Sequence, residues 1–193
     1  MRVVSILVSL VTALGLACLP GTARADIDQG IFSIRLQAPE NPEHRRYLGL
    51  GNGDTFALGD LSARVLVIEI FSMYCPHCQR EAPVINRLYE AMQADDQFRD
   101  AIRLMGIGVG NTPYEVDFFR QTYDIPFPLF ADADFTIHRL IGEVRTPHFI
   151  GILTTPTGEH RIFMSESGAG KVPEEFLKEI LEKSGLSKGG QPQ

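Results

Sequence analysis

The chain has 193 residues, 44% of them hydrophobic and 22% charged, with a formal charge of −6. These values exclude a disordered, collagenous or membrane-embedded protein. The acidic balance supplies no basic stripe to neutralise phosphates, so nucleic acid is not an expected partner. The length suits one domain of roughly 150 residues with an appendage.

The appendage comes first. Arg2 precedes an uncharged run from Val3 to Leu19, Pro20-Gly21 breaks it, and Ala23-Arg24-Ala25 places small residues around a cleavage point. A charged start, a short apolar core, a turn and A-x-A describe a secretory signal over residues 1–25, and hence a periplasmic or otherwise extracytoplasmic bacterial protein. The run is short for a spanning helix, which needs about 20 apolar residues. An uncleaved N-terminal anchor, and with it a membrane attachment, is the alternative. Cleavage after Ala25 removes Cys18 and leaves Cys75 and Cys78, in a compartment where disulfides persist. A pair separated by two residues closes almost no loop and adds little stability. Its value is chemical.

Residues 26–187 form the expected domain, and 188–193 read as a flexible tail. Residues 26–60 mix short apolar runs with the turn signals Ala38-Pro39, Asn41-Pro42 and Gly51-Asn52-Gly53-Asp54, and predict an N-terminal strand or hairpin. Val65 to Ser72 is a β-branched run with the length of a buried strand, interrupted by Glu69. Ile85, Leu88, Tyr89 and Met92 mark one face of a helix that begins at the cysteine pair, with Pro83 inside it as a bend. Ala101 to Val109 predicts a strand. Thr112-Pro113-Tyr114-Glu115 is a capping box opening a helix to about Tyr123. Phe127 to Phe130 predicts a short strand, and Asp132 a cap for a helix ending at Gly142. A hairpin of His148–Thr154 and Arg161–Ser165 follows, turning at Pro156-Thr157-Gly158. The last helix runs from Pro173 to Gly185 with Phe176, Leu177, Ile180 and Leu181 inward. Strands alternating with helices imply an α/β domain, a sheet with helices on both faces.

A thiolate, not a thiol, attacks a disulfide. The first turn of a helix offers unpaired N–H groups and the positive end of a dipole, so Cys75 is the expected nucleophile. Cys78, one turn on, is the expected resolving thiol. His77 adds a donor and, when protonated, a positive charge. Each effect favours the reduced form and makes the disulfide more oxidising, on a scale running from about −270 mV in thioredoxin to about −120 mV in DsbA.

Val67 to Cys78, ending in Cys75-Pro76-His77-Cys78, resembles the active-site strand and helix start of the thioredoxin superfamily, and its CPHC resembles that of DsbA-type oxidants. Three further positions agree. Glu69, six residues before Cys75, matches a buried acid; Pro83, five after Cys78, matches a helix-kinking proline; Thr146-Pro147 matches the cis-proline that faces the cysteines. The resemblance covers residues 55–185. The 69 residues from Cys78 to Pro147, read as strand, helix, short strand and helix, resemble the TlpA/ResA-like (redoxin) branch and its strand–helix insertion, and Cys78-Gln79-Arg80-Glu81-Ala82-Pro83 resembles the C-x-x-E-x-P of ResA-like reductases. The fold this implies is thioredoxin-like: a central mixed sheet flanked by helices, with an N-terminal strand or hairpin extension.

The expected function is extracytoplasmic thiol–disulfide exchange with protein thiols and disulfides. The resemblance implies that Pro147 and its neighbour Thr146 shape the peptide-binding surface, that Glu69 shuttles protons to the cysteines and that Glu81 influences thiol protonation. Glu69 is otherwise a satisfied structural carboxylate, and Glu81 a solvent-facing residue of the first helical turns. No metal or organic cofactor is needed, but a redox partner must reset the pair. Oxidase and reductase both remain open. A Sco-like copper-binding protein on the same fold is the alternative, against which stands CxxC in place of CxxxC. Haem attachment needs a histidine where Gln79 stands, and a thiol peroxidase needs a P-x-x-x-T-x-x-C motif that Met73 and Tyr74 do not supply. His148 reads as a strand-surface residue, and His44, His138 and His160 receive no role.

Overall fold

In a computed structural model, residues 30–168 and 170–186 are described. The signal reading of 1–25 and the tail reading of 188–193 lie outside them. A five-stranded sheet carries the order β5-β4-β3-β6-β7. Its strands are β3 (Val65–Phe71), β4 (Ile102–Val109), β5 (Leu129–Asp132), β6 (His148–Thr154) and β7 (His160–Ser167). Central β3 runs parallel to β4 and antiparallel to β6, so the sheet is mixed. Every residue of β3 is buried. A strand covered on both faces reads as a continuous apolar run, which is why Val65 to Phe71 is legible without alternation.

The pleat sends alternate β3 side chains into two cores. Val65, Val67 and Phe71 meet one face, packed by α2 (Pro76–Ala94) through Cys78, Ala82, Ile85, Leu88 and Met92, by α4 (Pro113–Thr122) through Val116 and Phe119, and by α6 (Pro173–Ser184) through Phe176 and Ile180. Leu66, Ile68 and Ile70 meet the other, packed by α5 (Thr136–Leu140) through Ile137 and by N-terminal residues such as Ile31, Leu48 and Phe56. Glu69 belongs to the first series and therefore points toward α2.

The N-terminal region is a two-stranded antiparallel ladder, β1 (Arg35–Gln37) against β2 (Thr55–Ala57). Between them lies α1 (Pro42–Tyr47), where the sequence predicted only a turn. Asn41 caps this helix through Glu43 N–H, and Pro42 opens it; the same dipeptide serves a turn or a helix start. A second unpredicted helix, α3 (Asp96–Ala101), starts from the Asp95 cap. The predicted strand Phe127–Phe130 begins instead at Leu129, after Pro128, which has no N–H to give the ladder. Asp132 caps α5 from the end of β5, its carboxylate accepting from Ile137 and His138 N–H at 2.9 Å each. The Thr112–Glu115 capping box is present, and α6 ends with Gly185 at φ 72°. Pro83 sits inside an otherwise continuous 19-residue helix.

Candidate active site

Cys75 is the N-cap residue of α2, with extended backbone (φ −83°, ψ 112°) and Pro76 at the first helical position. A proline there loses nothing, because the first-turn N–H groups have no intrahelical acceptor. The Cys78 N–H, one of those spare donors, points at Cys75 Sγ from 3.3 Å. The same sulfur lies 3.5 Å from the Thr146 carbonyl oxygen. Burial works to raise the Cys75 thiol, but hydrogen bonds from the Cys78 and Thr146 side chains and from the Cys78 and His77 backbone N–H outweigh it, so the thiol sits below its ordinary value. Cys75 is partly exposed; Cys78 is fully buried. Burial pushes the Cys78 thiol far up, and its hydrogen bond to Cys75 pushes the same way, opposed by the Ser72 backbone N–H. Both are free thiols.

Behind them lie two buried carboxylates. Glu69 is 3% exposed, and its Oε1 has no hydrogen-bond partner. Burial, then the charge of Glu81, then that of Cys75, push it up to about 8. The charge of Glu69 in turn acts on Cys78, raising it. Glu81 is 2% exposed, which overturns its solvent-facing reading. Its two oxygens accept from Gly170 N–H (2.7 Å) and Lys171 N–H (3.1 Å) in the segment between β7 and α6. Those donors lie far along the chain from α2, so nothing local in the sequence signals them. The Thr146–Pro147 peptide is cis and leads directly into β6; Pro147 C=O accepts from Gly168 N–H at 3.0 Å.

His77 differs from the expectation of a cationic ring beside the sulfur. Its side chain is exposed, and Nδ1 lies 3.0 Å from Arg80 Nη2. Arginine can only donate, so Nδ1 accepts, and what His77 gives Cys75 is a backbone N–H. His148 is likewise not a surface residue. It is 5% exposed on the face opposite the cysteines, with Nδ1 and Nε2 at 2.7 and 3.0 Å from the Ser167 and Ser165 hydroxyls, and burial lowers its pKa. Among the described residues no three His, Cys, Asp or Glu side chains gather as metal ligands.

Sequence reasoning missed what holds the loop before Cys75. Asn111 Oδ1 accepts from Met73 N–H at 2.8 Å, and Gln79 Nε2 donates to Met73 C=O at 2.8 Å. Ser72 C=O accepts from Cys75 N–H at 3.0 Å. The Tyr74 hydroxyl donates to Glu115, a contact that raises Tyr74 and lowers Glu115, and so ties the loop to the capping box of α4. Only the capping box had a local signature. A cleft of about 520 Å³ between the N-terminal ladder and α4 is lined by His44, Val116, Arg120 and Leu129 among others, and neither cysteine lines it.

A half-exposed thiol of lowered pKa at a helix start, over a buried thiol of raised pKa and facing a cis-proline, defines a thioredoxin-like dithiol domain. The chain belongs to the AhpC/TSA family, whose model matches residues 38–163. It is similar to the thiol-disulfide oxidoreductase ResA of Oceanobacillus iheyensis (26% identity over 107 residues, 54% of this chain and 51% of that protein) and of Bacillus subtilis (23% over 83 residues, 43% and 44%). The chain thus spans about half the length of these curated relatives. Among solved structures it resembles a secreted Mycobacterium tuberculosis disulfide oxidoreductase homologous to DsbE of E. coli (TM-score 0.56, 18% identity, 80% and 98% coverage). It also resembles StoA from Bacillus subtilis (TM-score 0.54, 14% identity, 77% and 97%). These structures share the thioredoxin-like fold.

Proposed function

We propose that this protein is an extracytoplasmic thiol–disulfide oxidoreductase acting on protein thiols and disulfides. The asymmetry of the two thiols carries the reading: Cys75 is accessible and low, Cys78 buried and high. The Cys75 thiolate attacks one sulfur of a substrate disulfide. That S–S bond breaks, a mixed disulfide forms, and the leaving thiolate takes a proton. Cys78 then loses its proton and attacks Cys75 Sγ, releasing the second substrate thiol and closing the Cys75–Cys78 disulfide, so that two electrons pass to the substrate. The reverse sequence oxidises a dithiol. Glu69, pushed up to about 8, is suited when ionised to take the Cys78 proton.

Thr146 and Pro147 border the attacking sulfur and supply the peptide-binding surface. Tyr74, 64% exposed next to Cys75, adds an aromatic face suited to a polypeptide partner. The names of the ResA relatives support the activity. The secreted structural neighbour and the signal-like residues 1–25 support the location. The two thiols carry this chemistry with no metal or organic cofactor, and a second dithiol protein serves as the redox partner that resets them. The test is exchange with an oxidised protein such as scrambled ribonuclease. The Cys75→Ser variant is expected to fall to the uncatalysed rate, and undiminished exchange by that variant would overturn the proposal.

A further inference from the structure

Asn111 occupies the turn between β4 and α4, 38 residues from the loop it touches, and is completely buried. Gly110, at φ 63°, makes the turn that delivers it, and a Cβ there would meet the Phe135 ring at 2.5 Å. The carboxamide is used at one end only: Oδ1 accepts from Met73 N–H, while Nδ2 is buried without a partner. An unpaired buried donor costs free energy that an apolar side chain of the same shape would not. What the carboxamide gives in return is at Met73.

The Met73 N–H belongs to the same peptide unit as the Ser72 C=O, and that carbonyl accepts from Cys75 N–H. Asn111 therefore grips one end of a peptide plane whose other end holds the nucleophile's own backbone. The preceding N–H, that of Ser72, is directed at Cys78 Sγ. The next carbonyl, that of Met73, is held by Gln79 on the first turn of α2. Rotation of the Ser72–Met73 peptide would release Cys75 N–H and displace Cys75 from its cap position.

We propose that Asn111 is a positioning residue for the Cys75–Cys78 pair, holding Cys75 at the start of α2 through the Ser72–Met73 peptide. Its neutrality matters. An acceptor is needed here, and a carboxylate would add a negative charge beside a site that already buries the carboxyl groups of Glu69 and Glu81. Asn111 touches no reacting atom and acts only through the loop.

The inference rests on the redox reading of the pair, so both measurements are made on the cysteines themselves rather than on a protein substrate. They are the pH profile of Cys75 alkylation by iodoacetamide and the equilibrium of the pair in glutathione buffers. Asn111→Leu keeps the branching and the number of side-chain heavy atoms and removes the unpaired donor. It is expected to melt no more than a few degrees below wild type. Its alkylation midpoint should rise by about one pH unit, equivalent to a tenfold change in the thiolate equilibrium. The glutathione equilibrium should shift about tenfold toward the disulfide, because a less stabilised thiolate disfavours the reduced form. Asn111→Ala serves if the leucine variant does not fold. A variant that loses melting temperature but keeps the wild-type profile and equilibrium would overturn the positioning role. Wild-type protein with no defined glutathione equilibrium would instead overturn the redox reading itself.

Discussion

Cys78→Ser protein mixed with an oxidised protein substrate is expected to accumulate a covalent adduct through Cys75, visible as a gel band that reductant removes. Cys75 is the partly exposed thiol whose pKa is lowered, so the first attack survives the substitution. The second attack does not, because Cys78 is the thiol whose N–H sits 3.3 Å from Cys75 Sγ and whose side chain is hydrogen-bonded to it. Oriented intramolecular groups reach effective molarities of about 10⁵ M or more. Millimolar external thiol cannot match that, and release of the adduct should slow by several orders of magnitude. The doubly substituted Cys75→Ser, Cys78→Ser protein should form no adduct. Adduct formation through Cys78 in a Cys75→Ser protein, at the rate of the Cys78→Ser protein, would contradict the assignment of nucleophile and resolving thiol.

Replacing Glu69 with glutamine is expected to change both catalysis and the pH dependence of stability. Glu69 is a buried carboxyl pushed up to about 8, first by burial and then by the charges of Glu81 and Cys75. In the unfolded chain it returns to the ordinary carboxyl range, about 4.3. Between those values the folded protein keeps a proton that the unfolded chain gives up. Stability contributed by the raised pKa is therefore complete below about pH 4.3, falls as pH rises through that window, and levels off above about 8. At about 1.4 kcal/mol per unit, the full loss is of the order of 4–5 kcal/mol. In urea titrations of the reduced protein, Glu69→Gln and wild type should differ little at pH 5. By pH 8 the glutamine variant should be more stable by up to a few kcal/mol. Parallel curves across that range would place the Glu69 pKa near its ordinary value. In single-turnover reactions at pH 9, where Glu69 is ionised, loss of the proton acceptor should slow closure of the Cys75–Cys78 disulfide by roughly 10²-fold. The first attack by Cys75 should be nearly unchanged, and equal slowing of both steps would remove Glu69 from the resolution step.

What was legible in the sequence was what is decided locally. The apolar run of β3, the Thr112–Glu115 box, the Pro173 start and Gly185 stop of α6, and the placement of Cys75 at a helix start all depend on residues within one or two turns of each other. Where two local structures share a signature, the reading failed. Asn41-Pro42 serves a turn and a helix cap equally well, and only the packing of Leu48 and Tyr47 against the far core decides for the helix. The shift of β5 has a similar cause: Phe127 is buried, but Pro128 cannot donate and the strand begins after it.

Side-chain roles that depend on distant partners were not legible. Glu81 is buried because Gly170 and Lys171 supply two N–H groups from the other end of the domain. His148 is buried because Ser165 and Ser167 stand opposite it on β7. Asn111 carries no role in the sequence, and only β4 laid beside β3 brings it to Met73. The ring of His77 is paired with Arg80, three residues along α2, through Nδ1.

The most direct test is the reduction potential of residues 26–193, equilibrated in glutathione buffers and read by a thiol-labelling gel shift, since the chain has no tryptophan to report it. The expected result is a single two-electron titration of Cys75 and Cys78 with a potential between about −270 and −120 mV, the span of dithiol oxidoreductases. Within it, a value above about −180 mV marks an oxidant, and one below about −250 mV a reductant. A potential below about −300 mV, the range of structural disulfides, or a pair that does not titrate as a two-electron couple, would contradict a redox role for this site.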